Sequence, residues 1–356
     1  MERRLTKSFW AGRRVFVTGH TGFKGGWLMA LLNRLGAKAS GYALAPAGRP
    51  TLFEAVRVGD LCLSSIGDIG DGPRLLAAMQ AAAPDIVLHL AAQALVRPAR
   101  EDPVGTFSTN VIGTAQVLEA VRRTTSVSAA IVVTSDKVYD NVEWTWAYRE
   151  GDRLGGKEPY GASKACAEIV VEAYRHSFFS EPGRPALATV RAGNVIGGGD
   201  WSEDRLVPDA MRAFVKNAPL VLRNPSAIRP WQHALEPLTG YLRLAEALAE
   251  RANMPKDQSF NFGPRVEDAV PVSMIADRLV ARWGNGARWQ RDPSVQPYEA
   301  RLLEVDSSRA RATLGWAPRW HLDTALDRTV DWYRAFHTGR DMQAITLDQI
   351  EEHLDA

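Results

Sequence analysis

The sequence contains little cysteine and no long apolar run. Its 356 residues include two cysteines, Cys62 and Cys166, which are too few for a disulfide framework. No apolar stretch reaches the length that a membrane-spanning helix needs, and the first residues lack the apolar core of a signal peptide. From these absences we expect a cytoplasmic protein that does not bind a membrane.

An excess of charge of one sign is also missing. Lysine and arginine number 43 against 41 acidic residues, which gives a formal net charge of +2. Proteins that bind nucleic acid usually present a strongly basic surface, so we expect no nucleic-acid partner. The seven histidines include no close pair with the spacing of metal ligands, and we expect no metal site.

Segments typical of strands alternate with segments typical of helices from residue 14 to about residue 191. Short apolar or β-branched runs predict strands at 15–18, 39–44, 85–90, 129–133 and 186–191. Patterns with a helical period predict helices at 24–35, 71–83, 104–123 and 160–176. This alternation predicts an α/β fold with a doubly wound parallel sheet (a Rossmann fold), whose ligand binds at the carboxyl ends of the strands.

The composition and pattern of the sequence change after Arg191. Tryptophans stand among charged loop residues, and further helices are predicted at 205–216, 232–251, 272–283 and 323–336. We therefore expect a Rossmann domain over residues 1–191 and a smaller, mostly helical substrate domain over residues 192–356. Short segments are expected to cross between the two.

Three glycines follow the first predicted strand. Gly19, Gly22 and Gly25 form a G-x-x-G-x-x-G pattern at the start of the helix predicted at 24–35. Glycine suits a tight turn whose backbone N–H groups approach phosphate oxygens, because no Cβ stands in the way. The pattern predicts that the N-terminus of this helix binds the pyrophosphate of a dinucleotide.

A tyrosine and a lysine lie four residues apart at the start of the helix predicted at 160–176. This spacing places Tyr160 and Lys164 on one helix face. An ammonium group there lowers the pKa of the phenol, and the tyrosinate takes a proton from a substrate hydroxyl while hydride leaves the carbon. The alternative is a pair on a solvated helix face, but the preceding strand and glycine turn favour catalysis.

Four polar residues directly follow the strand predicted at 129–133. Thr134, Ser135, Asp136 and Lys137 place a hydroxyl, a carboxylate and an amine at the carboxyl end of a strand. This succession suits acid–base chemistry. The alternative is a solvated loop of mixed charge, which is common between strands and helices.

The glycine pattern and the Y-x-x-x-K pair with Ser135 upstream resemble the extended short-chain dehydrogenase/reductase family. Within that family, the chain resembles the nucleotide-sugar 4,6-dehydratases over nearly its whole length. The segments that carry this likeness are TGHTGFKGGWL at 18–28, TSDKVYDN at 134–141, RAGNVIGGGDW at 191–201 and IRPWQH at 228–233. The resemblance implies a redox-neutral elimination of water from a nucleotide sugar, with CDP-glucose as substrate.

The resemblance also implies a role for each catalytic residue. Ser135 polarises the C4 oxygen of the sugar, Tyr160 takes the C4 hydroxyl proton, and Lys164 tunes Tyr160. Asp136 gives a proton to the departing C6 hydroxyl, and Lys137 takes the C5 proton. Most related dehydratases carry a glutamate at the position of Lys137. Because a lysine is a base only when neutral, we hypothesise that Lys137 lies closer to the neighbouring cations than to Asp136.

For the cofactor, the resemblance implies NAD. The residues expected to hold it are Gly19, His20, Thr21, Gly22, Phe23, Lys24 and Gly25 around the pyrophosphate, Asp68 and Ile69 at the adenine, Leu90, Ala91, Ala92 and Gln93 along the trough, and Asn110, Thr134, Tyr160 and Lys164 at the active-site end. His20 and Lys24 are unusual at such a turn. We interpret them as a basic pair beside the phosphates, with the outer face of the helix as the alternative. The acidic residue that usually binds the ribose is missing from 39–50, so Arg49 leaves NADP open.

The expected ligands of the sugar nucleotide are Asn194, Arg205, Arg229 and Arg301. A guanidinium group matches phosphate oxygens in geometry, and a domain that closes over the substrate is suited to supply it. Surface ion pairs are the alternative, above all for Arg301.

Other readings stay open at this point. A nucleotide-sugar 4-epimerase needs Tyr160 and Lys164 but no acid–base pair for eliminating water, and a non-catalytic NAD sensor needs neither. Specificity for dTDP-, GDP- or UDP-linked sugars is also open. The helices predicted at 104–123 and 160–176 suit the contact of a homodimer or homotetramer.

Overall fold

The computed structural model describes residues 3–250, 258–294 and 300–356, and in that part of the chain seven parallel strands form a central sheet. In chain order the strands are β1 Arg14–Thr18, β2 Lys38–Ala43, β3 Leu63–Ile66, β4 Ile86–His89, β5 Ala129–Val133, β6 Ala186–Ala192, β7 Val195–Ile196, β8 Leu220–Leu222, β9 Ile228–Pro230, β10 Gln232–His233, β11 Ser259–Phe262, β12 Ala269–Pro271 and β13 Trp289–Arg291. The sheet order is β3-β2-β1-β4-β5-β6-β11. The remaining strands form three short pairs: β7 with β10, β9 with β12, and β8 with β13.

Helices cover both faces of the sheet and build most of the second half. They are α1 Lys7–Trp10, α2 Phe23–Arg34, α3 Leu52–Ala55, α4 Gly72–Ala82, α5 Val96–Glu101, α6 Pro103–Phe107, α7 Gly113–Arg122, α8 Pro159–Phe178, α9 Leu206–Val215, α10 Leu235–Ala249, α11 Val272–Trp283, α12 Ser308–Leu314, α13 Leu322–His337 and α14 Met342–Asp355. The predicted doubly wound parallel sheet is confirmed. Its two halves both begin at the centre, where β1 lies between β2 and β4.

Alternating side chains explain why the strands read as continuous apolar runs. In β1, Val15 and Val17 belong to one hydrophobic core, whereas Phe16 belongs to the core on the opposite face. β4 repeats the pattern, with Ile86 and Leu88 on one side and Val87 on the other. Because the side-chain period of a strand is two, a sheet covered by helices on both faces needs apolar residues at every position.

Two predicted helices have different boundaries in the structure. The helix predicted at 104–123 is interrupted by a π-helical turn, Ser108–Ile112, between α6 and α7. The helix predicted at 232–251 begins only at residue 235, because residues 232 and 233 pair with β7 as strand β10. It ends at residue 249, and residue 251 lies outside the described residues.

The second half of the chain returns to the sheet. β11, from the segment assigned to the substrate domain, pairs with β6 in parallel and forms one edge. α14 packs against α2, and one continuous core joins residues of both halves. Among the described residues, every helix is too short or too polar to cross a membrane. Within the same residues, histidine, cysteine, aspartate and glutamate side chains form no group of three suited to a metal ion.

Candidate active site

The glycine turn joins β1 to α2 at the centre of the sheet. Gly19 has φ +82°, and a Cβ there would lie 2.6 Å from the backbone nitrogen of Ala91. A Cβ on Gly25 would lie 2.1 Å from the carbonyl oxygen of Gly19. Gly22 is the N-cap residue of α2 and makes no side-chain hydrogen bond to the helix. The turn is therefore closed against the end of β4, and it leaves the N–H groups of the first helical turn available to an anion.

The structure places the two basic residues of this turn in different environments. The His20 ring is fully buried between β2 and β3, where Nε2 lies 2.7 Å from Ser64 Oγ, and burial lowers its pKa to about 4. A Cβ on Gly41 would lie 2.2 Å from the His20 ring, so that glycine makes room for it. His20 is therefore neutral at neutral pH and is not one half of a basic pair.

Lys24 instead interacts electrostatically with the candidate catalytic residues. Burial and the charge of Arg205 lower the pKa of Lys24 to about 8, and the carboxylate of Asp136 acts against them. The charge of Lys24 in turn acts on Lys164. The side chain that was expected beside the phosphates therefore lies within the electrostatic field of the catalytic centre.

Ser135 organises the turn that follows β5. Its hydroxyl donates a hydrogen bond to Asp136 Oδ1 at 3.1 Å and accepts one from the backbone nitrogen of Lys137 at 3.2 Å. Asp136 is 3% exposed, and its Oδ2 has no hydrogen-bond partner among the described residues. Burial raises the pKa of Asp136, although Lys137 and Ser135 act in the opposite direction. A carboxyl group in this environment is suited to carry and donate a proton.

Tyr160 and Lys164 share one face of α8, as predicted from their spacing. Glu158 caps this helix and accepts hydrogen bonds from the backbone nitrogens of residues 160 and 161. Lys164 Nζ donates to the carbonyl oxygen of Val133 at 3.1 Å, and burial together with Lys24 lowers the pKa of Lys164 to about 7. Burial raises the pKa of Tyr160 to about 12, and the neighbouring Ser135 hydroxyl acts in the opposite direction. In this structure, burial thus outweighs the expected lowering of the phenol pKa.

The π-helical turn carries Asn110 into the site. Its Oδ1 accepts from the backbone nitrogen of Gln93 at 2.9 Å, while Nδ2 donates to the Gln93 carbonyl at 2.9 Å and to Ser163 Oγ at 2.8 Å. Asn110 therefore clamps the segment after β4 to α8. Single-turn π-helices occur often at functional sites, but the sequence offered no signal for this one.

A buried ion pair behind the site was missed from the sequence. Arg191 and Glu168 lie 2.8 Å apart, and each side chain is 3% exposed. Glu168 also accepts hydrogen bonds from Thr134 at 2.5 Å and Thr189 at 2.6 Å. Burial opposes ionisation, yet Arg191 and these hydroxyls hold the pKa of Glu168 below its ordinary value. Thr134, expected at the cofactor, has its hydroxyl committed to this network.

The remaining cofactor candidates line the carboxyl edge of the sheet. Leu90, Ala91, Ala92 and Gln93 are all half-buried where β4 ends. Thr21 Oγ1 donates to the carbonyl of Leu44 at 2.9 Å, and the Phe23 ring packs over Gly197. After β3, Asp68 accepts from the nitrogen of Gly70 at 2.8 Å, and Ile69 is buried against Gly113.

Two of the four predicted substrate ligands interact electrostatically with the candidate catalytic residues. Arg205 donates to Asp200 Oδ2 at 2.9 Å, and its charge acts on Tyr160 and Lys24. Arg229 is buried, and its charge acts on Asp136. The other two contribute backbone contacts to this region. The Asn194 carbonyl accepts from residue 232 and the Arg301 carbonyl from residue 228, while the Arg301 side chain is exposed.

Comparison with known proteins agrees with this geometry. A family profile described as GDP-mannose 4,6 dehydratase matches residues 16–329. The chain belongs to this family. It is 49% identical over 357 residues to the CDP-glucose 4,6-dehydratase of Salmonella typhimurium, covering 99% of each chain. It is 26% identical to a dTDP-glucose 4,6-dehydratase of Xanthomonas campestris, covering 89% of this chain and 92% of the relative. The predicted resemblance is confirmed.

Solved structures of this dehydratase and epimerase group share the fold. UDP-glucose 4-epimerase of Thermotoga maritima, with UDP-glucose, has a TM-score of 0.78 at 21% identity and covers 91% of this chain and 99% of its own. dTDP-glucose 4,6-dehydratase of Bacillus anthracis, in complex with NAD, has a TM-score of 0.75 at 18% identity and covers 93% and 100%.

Lys137, the departure from most related dehydratases, does not lie where we hypothesised. Of the charged groups that act on Asp136, Lys137 acts most strongly. The charges that act on Lys164 are those of Lys24 and Glu168 instead. The physical reason is local, since the short 3₁₀ turn Asp136–Val138 brings these adjacent side chains together. Lys137 and Asp136 are therefore an adjacent amine and carboxyl group on one turn.

Lys24 gives a test of the electrostatics in this dehydratase-family site. We expect Lys24→Met to raise the Tm of the ligand-free protein by about 2 °C near neutral pH, because it removes a cation repelled by Arg205. The folded-state pKa of about 8 lies below the ordinary 10.5, so between these values the unfolded chain binds more protons. Stability from this residue therefore rises with pH, and the advantage of the variant shrinks. The Tm of the wild type and of Lys24→Met is measured by thermal unfolding near pH 8 and near pH 10.5, the folded-state and ordinary pKa values of this lysine. The exposed Lys216→Met is the control. A constant Tm difference contradicts it.

Proposed function

We propose that this chain is a CDP-glucose 4,6-dehydratase, a hydro-lyase that forms CDP-4-keto-6-deoxyglucose. The observation that carries the proposal is the buried Asp136 carboxyl on the turn after β5, whose Oδ2 has no hydrogen-bond partner among the described residues and whose Oδ1 accepts from Ser135. A 4-epimerase needs no such acid. Identity of 49% over nearly the full length of a CDP-glucose 4,6-dehydratase supports the choice of nucleotide.

The residues present fit NAD as the cofactor. The cradle at Gly19 and Gly25 has no room for a Cβ, which is the requirement for a backbone that approaches a pyrophosphate. Arg49, which left NADP open, is 86% exposed and forms a surface ion pair with Glu54 at 3.7 Å. When bound, NAD accepts a hydride from C4 of the sugar and returns it to C6.

In the oxidation step, Tyr160 takes the proton of the C4 hydroxyl. The Ser135 hydroxyl lies close enough to lower the pKa of Tyr160 against the effect of burial, so the two groups can act on one C4 oxygen. Ser135 donates to that oxygen as it becomes a carbonyl. The ammonium of Lys164, fixed to the carbonyl of Val133, stabilises the tyrosinate from the same helix face.

In the elimination step, the 4-keto group acidifies the C5 proton. Lys137 takes this proton, and Asp136 donates its own proton to the departing C6 oxygen, so that one molecule of water leaves. Lys137 then returns a proton to C5 after C6 has been reduced. Lys137 starts this step as a neutral amine and Asp136 as a protonated carboxyl, so the ammonium and the carboxylate form together and neither buried charge is left unpaired.

Lys137→Ala tests the role of this lysine. We expect it to slow the exchange of solvent deuterium into C5 of the 4-keto intermediate by about 10²-fold or more, since it removes the base that moves this proton. Mass spectrometry or NMR of the product measures the exchange. The exposed Lys216→Ala serves as the matched control. Exchange at the wild-type rate in Lys137→Ala rules out the assignment.

A panel of CDP-, dTDP-, GDP- and UDP-glucose compared by kcat/KM tests the function itself. The proposal predicts loss of one water from the CDP sugar and the highest kcat/KM for it. An unchanged product mass with inverted C4 indicates the epimerase, and no reaction with any sugar indicates a sensor. A higher kcat/KM for another nucleotide sugar would change the assigned substrate but not the assigned reaction.

We further propose a cytoplasmic homodimer that binds neither nucleic acid nor membranes. α6 and α7 both pack against α8, and the outer side of α6, the π-turn and α8 exposes large apolar residues: Val104, Phe107, Ile112, Ile169 and Phe178. Four such helices, two from each copy, would bury this face, and a tetramer would need a second contact.

The double substitution Ile112→Glu and Ile169→Glu tests the dimer. The two substitutions place charges in the apolar contact. We therefore expect the sedimentation coefficient to shift from that of a dimer to that of a monomer at about micromolar protein concentration. The control is Val266→Glu, an exposed valine outside this face. A monomeric wild-type protein, or a double variant that stays dimeric, argues against this contact.

A further inference from the structure

A chain of hydrogen bonds runs under the site from the glycine turn to the π-helical turn, and His89 is its centre. Thr18 and His89 are register partners at the ends of β1 and β4. Thr18 Oγ1 lies 2.7 Å from His89 Nδ1, and His89 Nε2 lies 3.1 Å from Thr114 Oγ1. Thr18 also accepts from the nitrogen of Ala91 at 3.2 Å, and Thr114 donates to the carbonyl of Asn110 at 2.7 Å.

These contacts fix which ring nitrogen carries the proton. A carbonyl oxygen only accepts, so the Thr114 hydroxyl proton points to Asn110, and Thr114 Oγ1 must accept from His89 Nε2–H. Thr18 Oγ1 already accepts from the nitrogen of Ala91, so its proton is available for the lone pair of Nδ1. The neutral Nε2–H form satisfies every partner, whereas a doubly protonated ring would leave the Thr18 proton without an acceptor.

The far end of the chain reaches the catalytic tyrosine. Asn110 Nδ2 donates to Ser163 Oγ at 2.8 Å, and Ser163 donates to the carbonyl of Tyr160 at 2.7 Å. His89 therefore joins two parts of the molecule that share no strand or helix. One part is the turn at Gly19, against which Ala91 packs, and the other is the first turn of α8.

We propose that neutral His89, protonated at Nε2, is a positioning residue that holds the cofactor turn and the catalytic helix in register. The proposal rests on the proposed function, because the two parts it joins are the NAD cradle and the Tyr160 base. His89 is 3% exposed, and burial and the charge of Lys164 lower its pKa to about 3, which agrees with a neutral ring.

The ring nitrogens provide a test that needs no activity. In protein labelled with ¹⁵N-histidine, long-range ¹H–¹⁵N spectra at neutral pH show which nitrogen of each ring is protonated. The His89 signals are identified by their absence in His89→Gln. We expect Nε2 protonated and Nδ1 bare. A ring protonated at Nδ1, or at both nitrogens, overturns the proposal.

Two amide variants, each of which retains one hydrogen-bonding position of the ring, separate the two ends of the hydrogen-bond chain. The amide nitrogen of His89→Gln replaces the Nε2–H donor to Thr114, and the carbonyl of His89→Asn replaces the Nδ1 acceptor for Thr18. We expect His89→Asn to lower kcat by about 10-fold with the Kd for NAD within about two-fold of wild type. We expect His89→Gln to raise the Kd for NAD by about 10-fold and to lower kcat less.

The outcome is read from the split between kcat and NAD affinity, with Tm measured for every variant. NAD affinity is determined by fluorescence quenching without sugar, so it stays informative if CDP-glucose is not the substrate. The exposed His176→Gln is the control for substitution of a histidine. If both His89 variants lower kcat and NAD affinity equally, in proportion to their loss of Tm, then His89 is only structural and the proposal fails.

Discussion

Tyr160→Phe is expected to lower kcat for CDP-glucose by about 10²–10⁴-fold, the contribution that a positioned acid–base group typically makes. The substitution removes the only oxygen of the side chain and leaves the buried ring in place. Lys164 and Ser135 keep their own partners, Val133 and Asp136, so the fold is expected to be unchanged. The loss therefore falls on the removal of the C4 proton rather than on binding.

Tyr241→Phe is the matched control for this experiment. Tyr241 is another buried tyrosine near Tyr160, and its hydroxyl has no hydrogen-bond partner among the described residues. Removal of that hydroxyl is expected to change kcat by less than about two-fold. Steady-state kinetics at saturating sugar, with Kd for NAD and Tm measured alongside, compare the two variants. An equal effect of both substitutions would show that the loss at Tyr160 is not chemical.

Asp136→Asn is expected to lower the rate of water elimination by about 10²–10³-fold. The amide is the same size as the carboxyl group and still accepts from Ser135, but it has no acidic proton to give to the C6 oxygen. Oxidation at C4 does not use this group. The variant should therefore stop halfway, with the sugar oxidised and the water not yet lost.

Rapid mixing with CDP-glucose distinguishes this block from a general loss of activity. In Asp136→Asn, the absorbance of reduced nicotinamide should rise and persist, whereas in the wild type it is transient. Asp140→Asn, four residues further along the same segment and 3.7 Å from Arg153, is the control and should behave like the wild type. Normal turnover in Asp136→Asn, or a variant that cannot oxidise C4, contradicts the assignment of Asp136 as the acid for elimination.

The periodic features of the chain were predictable from the sequence. Apolar runs such as 15–18 and 129–133 correctly predicted a parallel sheet, because only a sheet covered on both faces buries every residue of a strand. The four-residue spacing placed Tyr160 and Lys164 on one helix face, and the position of Ser135 after β5 brought it to the same edge.

Features that depend on distant packing were not predictable. The burial of the His20 ring follows from the space left by Gly41 and the partner offered by Ser64, which are on other strands. The Arg191–Glu168 ion pair joins residues 23 positions apart in different elements, and no local pattern marks it. Asn110 sits in a π-turn, a register change that composition does not reveal.

The placement of β11 has a consequence for how the protein is made. β6 pairs on one side with β5, and its other side receives β11, which the ribosome delivers only after residue 262. Until then the nascent chain exposes the unpaired backbone N–H and C=O groups along one side of β6, a strand that is buried in the complete fold. Such an edge readily pairs with a strand of another chain. A fragment ending at the domain boundary predicted at residue 191 would keep that edge permanently open. The Rossmann half is therefore not a self-sufficient module, and the segment that carries β11 also protects the sheet edge from aggregation.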